Sequence, residues 1–142
     1  MKKVYPKWSE LPTIDLYLDQ VLLYVNQLDS SSIVDDDKGL TAAMINNYVK
    51  NGHLDKPIKK KYNRKQLARL IVITCLKNVF AIQEISKTIS SLTKDGDSEA
   101  MYDNFVMCMN EEKREGLPEV IVSACDTVRL YKKTHDLVEK LK

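Results

Sequence analysis

Three cysteines and two histidines are the side chains of this 142-residue sequence best suited to attack a substrate, hold a metal or carry a proton. Cys75, Cys108 and Cys125 are odd in number and widely spaced, which gives neither a disulfide framework nor a paired zinc-ligand pattern. Each falls on an apolar helical stripe and is read as a small buried hydrophobe, with metal or redox sensing as the alternative. His53 stands where a helix stops and His135 on the last helix. Neither has a cysteine, serine or carboxylate at the spacing of a nucleophile and its base, so both are read as surface or capping imidazoles. Asp35, Asp36 and Asp37 are read as a solvated acidic loop rather than a cation site. The stretch Asp95-x-Asp97-x-Glu99 begins like a calcium loop, but Ala100 replaces the needed glycine and Val106 the needed glutamate. With no P-loop and no dinucleotide glycine motif, the expectation is a protein that is not an enzyme and uses no cofactor or metal.

Amides and ammonium groups make the more informative set. Asn46 and Asn47 lie one turn from Ala43 and Lys50 on the outward face of a short helix that Thr41 can cap through its hydroxyl. An asparagine amide donates and accepts at once, which matches the major-groove edge of adenine. Lys59, Lys60, Lys61 and Arg64 follow in and after an exposed turn, where they can reach phosphate but not base edges. Residues 50 to 77 carry nine basic side chains against the single acid Asp55, a local charge of +8 in a chain whose net charge is +2. The remainder carries −6, so the positive field is concentrated where a polyanion would dock. Thr41, Ala43, Asn46, Asn47, Lys50, Lys59, Lys60, Lys61 and Arg64 are therefore the expected contacts to double-stranded DNA.

Helices must hold these residues. Pro12 suits a first helical position, and Ile14, Leu18, Val21, Val25 and Leu28 follow at spacings of four and three, predicting a helix that ends near Asp29. A polar loop leads to Thr41, and Met44, Ile45, Tyr48 and Val49 face inward before Gly52 supplies a left-handed stop. The segment Asp55 to Tyr62 is broken by Pro57 and reads as a turn or small hairpin. Asn63 caps a helix through about Asn78 whose middle, Leu70 to Leu76, is apolar nearly all round and so belongs at the centre. Further helices carry Ile82, Ile85, Ile89 and Leu92, then Met101, Phe105, Cys108 and Met109, then Ile121, Ala124, Cys125, Val128, Tyr131 and Val138. No alternating strand-like run occurs, so the fold class is all-α. We expect a helix-turn-helix domain with its N-terminal helix over residues 1–95 and a two-helix dimerisation or sensor lobe over 96–142. The longest apolar stretch is seven residues where about 18 are needed to span a bilayer, so no membrane is expected. The basic N-terminus lacks the apolar run of a signal peptide, which predicts a cytoplasmic protein.

From Thr41 to Ile85 the sequence resembles the winged helix-turn-helix of MerR-type regulators. The resemblance rests on Tyr48-Val49-Lys50-Asn51-Gly52-His53-Leu54, the proline-containing basic turn closed by Tyr62, and Leu67-x-x-Leu70-x-x-Ile73-x-x-Leu76-Lys77 with Ile82-x-x-Ile85. Met44 to Lys50 with Lys59-Lys60-Lys61-Tyr62, together with Tyr5-Pro6-x-Trp8 and Asp15-Leu16-Tyr17-x-Asp19-Gln20, is similar to an uncharacterised bacterial family, domain of unknown function 1836. That similarity covers roughly residues 5 to 110 and implies a bacterial cytoplasmic protein with a MerR-like fold and no established activity. The pattern departs from MerR-type proteins at Asn46-Asn47, where they place Arg-Tyr, in its shorter wing, and in its two C-terminal helices where they use one. Charge and resemblance together imply a transcriptional regulator that binds DNA as a homodimer, with an unidentified small-molecule or protein effector. The alternative is a protein-interaction adaptor on the same scaffold, its lysines meeting an acidic partner. The apolar surface expected to join two copies is the stripe Ile121, Cys125, Val128 and Tyr131.

Overall fold

The computed structural model describes residues 5–28 and 39–141, so Asp35, Asp36 and Asp37 lie outside the described residues. A 3-10 turn at Trp8–Glu10 and a two-residue strand β1 (Leu16–Tyr17) precede α1 (Leu18–Leu28) and α2 (Ala42–Lys50). Then come strand β2 (Lys61–Tyr62) and helices α3 (Arg64–Leu76), α4 (Ile82–Leu92), α5 (Ser98–Met109) and α6 (Glu119–Glu139). The chain is mostly helical, as its periodicity predicts.

Helix α3 is the centre. Its start is fixed by a reciprocal cap: the Gln66 backbone N–H donates to Asn63 Oδ1 at 2.9 Å, and the Asn63 N–H donates to Gln66 Oε1 at 2.7 Å. Nine of its thirteen residues are buried, and α1, α4, α5 and α6 all pack on it. Each fully buried Leu, Ile or Val there contributes about 1.5–3 kcal/mol by leaving water. Leu70 and Ile73 are completely buried.

The first helix departs from expectation. The run from Pro12 to Tyr17 is not helical, and Ile14, expected on the inward stripe, is 70% exposed. Leu16 and Tyr17 instead pair antiparallel with Tyr62 and Lys61, which places β1 against the basic segment. The Tyr17 N–H then donates to Gln20 Oε1 at 2.8 Å as α1 begins. A four-residue spacing of apolar side chains cannot by itself exclude a strand partner about 45 positions away. At the far end of α1, the Asn26 amide brackets Leu40, accepting from its N–H at 2.8 Å and donating to its carbonyl at 2.9 Å, which sets the entry into α2.

The N-terminal segment straps onto α5. Asn110 holds the Tyr5 backbone at both groups, by 2.8 and 3.0 Å hydrogen bonds. The Tyr102 hydroxyl donates to the Pro6 carbonyl at 2.7 Å, and the Trp8 N–H to Asp103 Oδ1 at 2.8 Å. Trp8 and Tyr102 stack edge to face with ring centres 6.2 Å apart. Packing thus runs across residue 95, and the buried apolar side chains from Tyr5 to Val128 form one cluster.

Helix α6 also corrects an expectation. Ile121, Cys125 and Val128, the stripe expected between copies, are 5%, 0% and 1% exposed because α6 lays them on α5 and α3. Only Tyr131 of that set stays in solvent. Asp126 is gripped by both Arg114 and Arg129, whose hydrogen bonds hold its carboxyl well below the usual range. Among the described residues no helix is long and apolar enough to cross a membrane.

Candidate nucleic-acid interface

Helix α2 is built as the spacing predicts. Thr41 Oγ1 accepts from the Met44 N–H at 3.2 Å. At the other end the Gly52 and His53 N–H groups return to the Val49 and Tyr48 carbonyls at 3.2 and 2.8 Å, and Gly52 takes φ 79°, a left-handed stop. Ile45 and Tyr48 face the core. Ala43, Asn46, Asn47 and Lys50 are all exposed, so the outward face is open to a partner.

The basic turn is a two-residue hairpin. Ile58 and Lys61 exchange two backbone hydrogen bonds, each 3.0 Å, and Lys59 and Lys60 between them take φ 52° and 68°. Positive φ at both central positions is the turn that matches strand twist, and it ordinarily selects Asn-Gly because a Cβ costs about 1–2 kcal/mol there. Here two exposed lysines hold it. Exchanging them for the turn's preferred residues, Lys59→Asn with Lys60→Gly, is expected to raise unfolding stability by about 1–2 kcal/mol. Chemical denaturation of the double variant measures this, and an unchanged or lower midpoint would show that the turn carries no strain.

Strand β2 and the first turn of α3 bring the other two cations against aromatic rings. Lys61 Nζ lies 5.1 Å from the centre of the Tyr17 ring, and the Arg64 guanidinium 6.0 Å from that of Trp8. Neither aromatic is among the contacts expected from the sequence. The motifs Tyr5-Pro6-x-Trp8 and Leu16-Tyr17 are visible there, but only strand pairing and the strap on α5 show which cations they meet.

Two polar side chains of α3 tie the hairpin and the end of α2 to one support. Gln66 Nε2 donates to the Asp55 and Lys56 carbonyls, both at 3.0 Å. Arg69 Nε donates to the His53 carbonyl at 2.6 Å, and its Nη2 reaches Ser86 Oγ at 2.9 Å and Ser90 Oγ at 3.2 Å on α4. Burial lowers the Arg69 guanidinium from its ordinary value while Asp55 opposes the shift. In the sequence Arg69 is only one more positive charge; in the fold it clamps the segment after α2. All nine expected contacts thus lie on α2 and its cap, the hairpin and the start of α3, carried on one central helix.

Among the described residues no three His, Cys, Asp or Glu side chains stand where they could share a metal ion. Cys108 and Cys125 are buried side by side, and burial, with the neighbouring Cys108 thiol, pushes the Cys125 thiol up. A family model described as "Domain of unknown function (DUF1836)" matches residues 6–105. No curated protein and no solved structure matches the chain.

Proposed function

The chain belongs to the DUF1836 family, and from that premise we propose that it is a cytoplasmic bacterial transcriptional regulator that binds double-stranded DNA as a homodimer. On this reading α2 is the recognition helix of a MerR-like winged helix-turn-helix, and the hairpin at Lys59 and Lys60 is its wing. Asn46 and Asn47 read base edges, while two or three of Lys50, Lys59, Lys60, Lys61 and Arg64 in each copy grip phosphate. Tyr17 and Trp8 brace two of those cations. The observation that carries the reading is the pair of exposed lysines held at positive φ. A turn that only needed to reverse the chain would be more stable with Asn-Gly, and strain retained at an exposed tip is a mark of function.

Two copies are needed because one short helix reads only a few base pairs, and paired half-sites about 34 Å apart restore specificity. With Ile121, Cys125 and Val128 buried, an apolar surface still open to a second copy is the outer part of α6, where Leu130, Leu137 and Val138 are 63%, 52% and 55% exposed.

Fluorescence anisotropy with genomic duplexes over a range of salt tests the proposal. With roughly four to six phosphate contacts per dimer, log K falls with log salt at a slope of about −4 to −5, because each neutralised phosphate releases condensed counterions. Light scattering on the same mixtures returns a dimer. A flat salt response, or a monomer with and without DNA, overturns this reading, and capture of an acidic protein by the lysines in place of DNA establishes the adaptor.

A further inference from the structure

Helices α4 and α6 each pack on α3 and α5 and leave a cleft of about 200 Å³ between them. Val72 of α3 and Phe105 of α5 form its floor, Ile85 and Ile89 one wall, Ile121 the other. All five are 5% exposed or less, while Glu84, Val120, Ser123 and Thr127 at the mouth are exposed, so the cleft has a buried apolar floor and walls and one open side. The apolar floor and walls of this open cleft face water, and an occupant that covers them gains the burial and the dispersion contacts that the four helices leave unmade.

We infer that this cleft binds a small apolar molecule, about the size of one aromatic ring with a short substituent, that carries no negative charge. The size follows from the volume, since an apolar cavity of about 150 Å³ is enough to hold benzene. The polarity follows from the rim. Thr88 Oγ1 donates to the Glu84 carbonyl and Thr127 Oγ1 to the Ser123 carbonyl, each at 2.8 Å, so those two hydroxyl protons are used within their own helices, and the Ser123 hydroxyl stands at the exposed mouth rather than on the floor. Among the described residues Glu84 is the only charged one bordering the cleft, and its carboxylate disfavours an anion at the mouth. Water gains little against such a floor and walls, whereas an apolar ring recovers contact on the sides that face them.

The inference is independent of DNA binding, and its test uses the full chain without DNA. Indole, a neutral ring, and benzoate, an anion of similar size, are titrated while methyl resonances of Ile85, Ile89 and Ile121 are followed. Indole shifts all three with Kd on the order of 0.1–1 mM, and benzoate binds about tenfold more weakly. Ala124 borders the cleft, and Ala124→Leu fills it, abolishing the indole response without lowering the melting temperature. If that variant is poorly folded, Val120→Trp at the 45% exposed mouth blocks entry instead. Glu84→Gln brings benzoate to within about threefold of indole. Absence of methyl shifts at millimolar indole overturns the inference. So does an undiminished response in a folded cleft-filling variant, or a dimer in the free protein that the cleft-filling variant splits, which would assign the cleft to a second copy.

Discussion

If the chain binds DNA as proposed, replacing Lys59, Lys60 and Lys61 together by alanine is expected to weaken binding to operator and random duplex alike, by about two to four powers of ten at 0.1 M salt, because one or two phosphate contacts are lost in each copy of the dimer and each contributes close to one decade there. The salt slope flattens by roughly one unit for each phosphate no longer neutralised. Asn46→Ala and Asn47→Ala behave differently: whichever residue bonds a base through both amide atoms loses, on truncation, about 1–3 kcal/mol of discrimination between operator and random DNA, with little change in slope. Both asparagines are exposed on the face of α2 opposite Ile45 and Tyr48, whereas the first two lysines sit on a hairpin tip and the third on the strand beside it. Anisotropy of both duplexes at several salt concentrations separates the two patterns. A lysine triple variant that binds DNA like the unaltered protein would remove the wing from the interface. The stabilised hairpin variant belongs to the same series, since it should melt later and bind more weakly, trading function for a relaxed turn.

Removing the side chain of Tyr102 costs more stability than any exposed change. Tyr102→Ala should destabilise the fold by about 3–5 kcal/mol, the range for deleting a fully buried aromatic. At roughly 2–4 °C per kcal/mol for a chain of this size, the melting point drops by about 10 °C. Tyr102 is completely buried, stacks on Trp8 and donates its hydroxyl proton to the Pro6 carbonyl, with burial raising that hydroxyl far above its ordinary value. Tyr102→Phe keeps the ring and removes only this hydrogen bond, so it costs about 1–2 kcal/mol. Urea titrations of the two variants measure both. If Tyr102→Phe leaves the midpoint unchanged, the bond to Pro6 contributes nothing to the fold, and if Tyr102→Ala does so too, neither does the ring.

Interactions within a single turn of helix were legible in the residues alone. Thr41 and Asn63 cap because their side-chain oxygens reach a backbone N–H three positions on, and Gly52 stops α2 because only a residue without Cβ enters that conformation freely. The all-round apolar run from Leu70 to Leu76 required a central helix, and the outward placement of Ala43, Asn46, Asn47 and Lys50 followed from the inward placement of Ile45 and Tyr48. The hairpin was legible as a turn from Pro57 and the charge around it, but its handedness was not, because Lys59-Lys60 lacks the Asn-Gly signal.

Partners distant along the chain were decided only by tertiary structure. Ile14 and Leu18 have helical spacing, yet the ladder to Lys61 and Tyr62 draws Leu16 and Tyr17 into a strand, since backbone groups there pair across the fold. Ile121, Cys125 and Val128 form an apolar stripe in either a dimer or a monomer, and only the packing of α6 on α5 and α3 shows that the stripe is already covered. The same holds for Trp8 under Arg64, Arg69 across His53 and Ser86, and the cleft between α4 and α6. Periodicity states which face of a helix avoids water, because that depends on each residue's own side chain; which surface covers that face depends on shape and volume matched across separate elements, and that appears only when they meet.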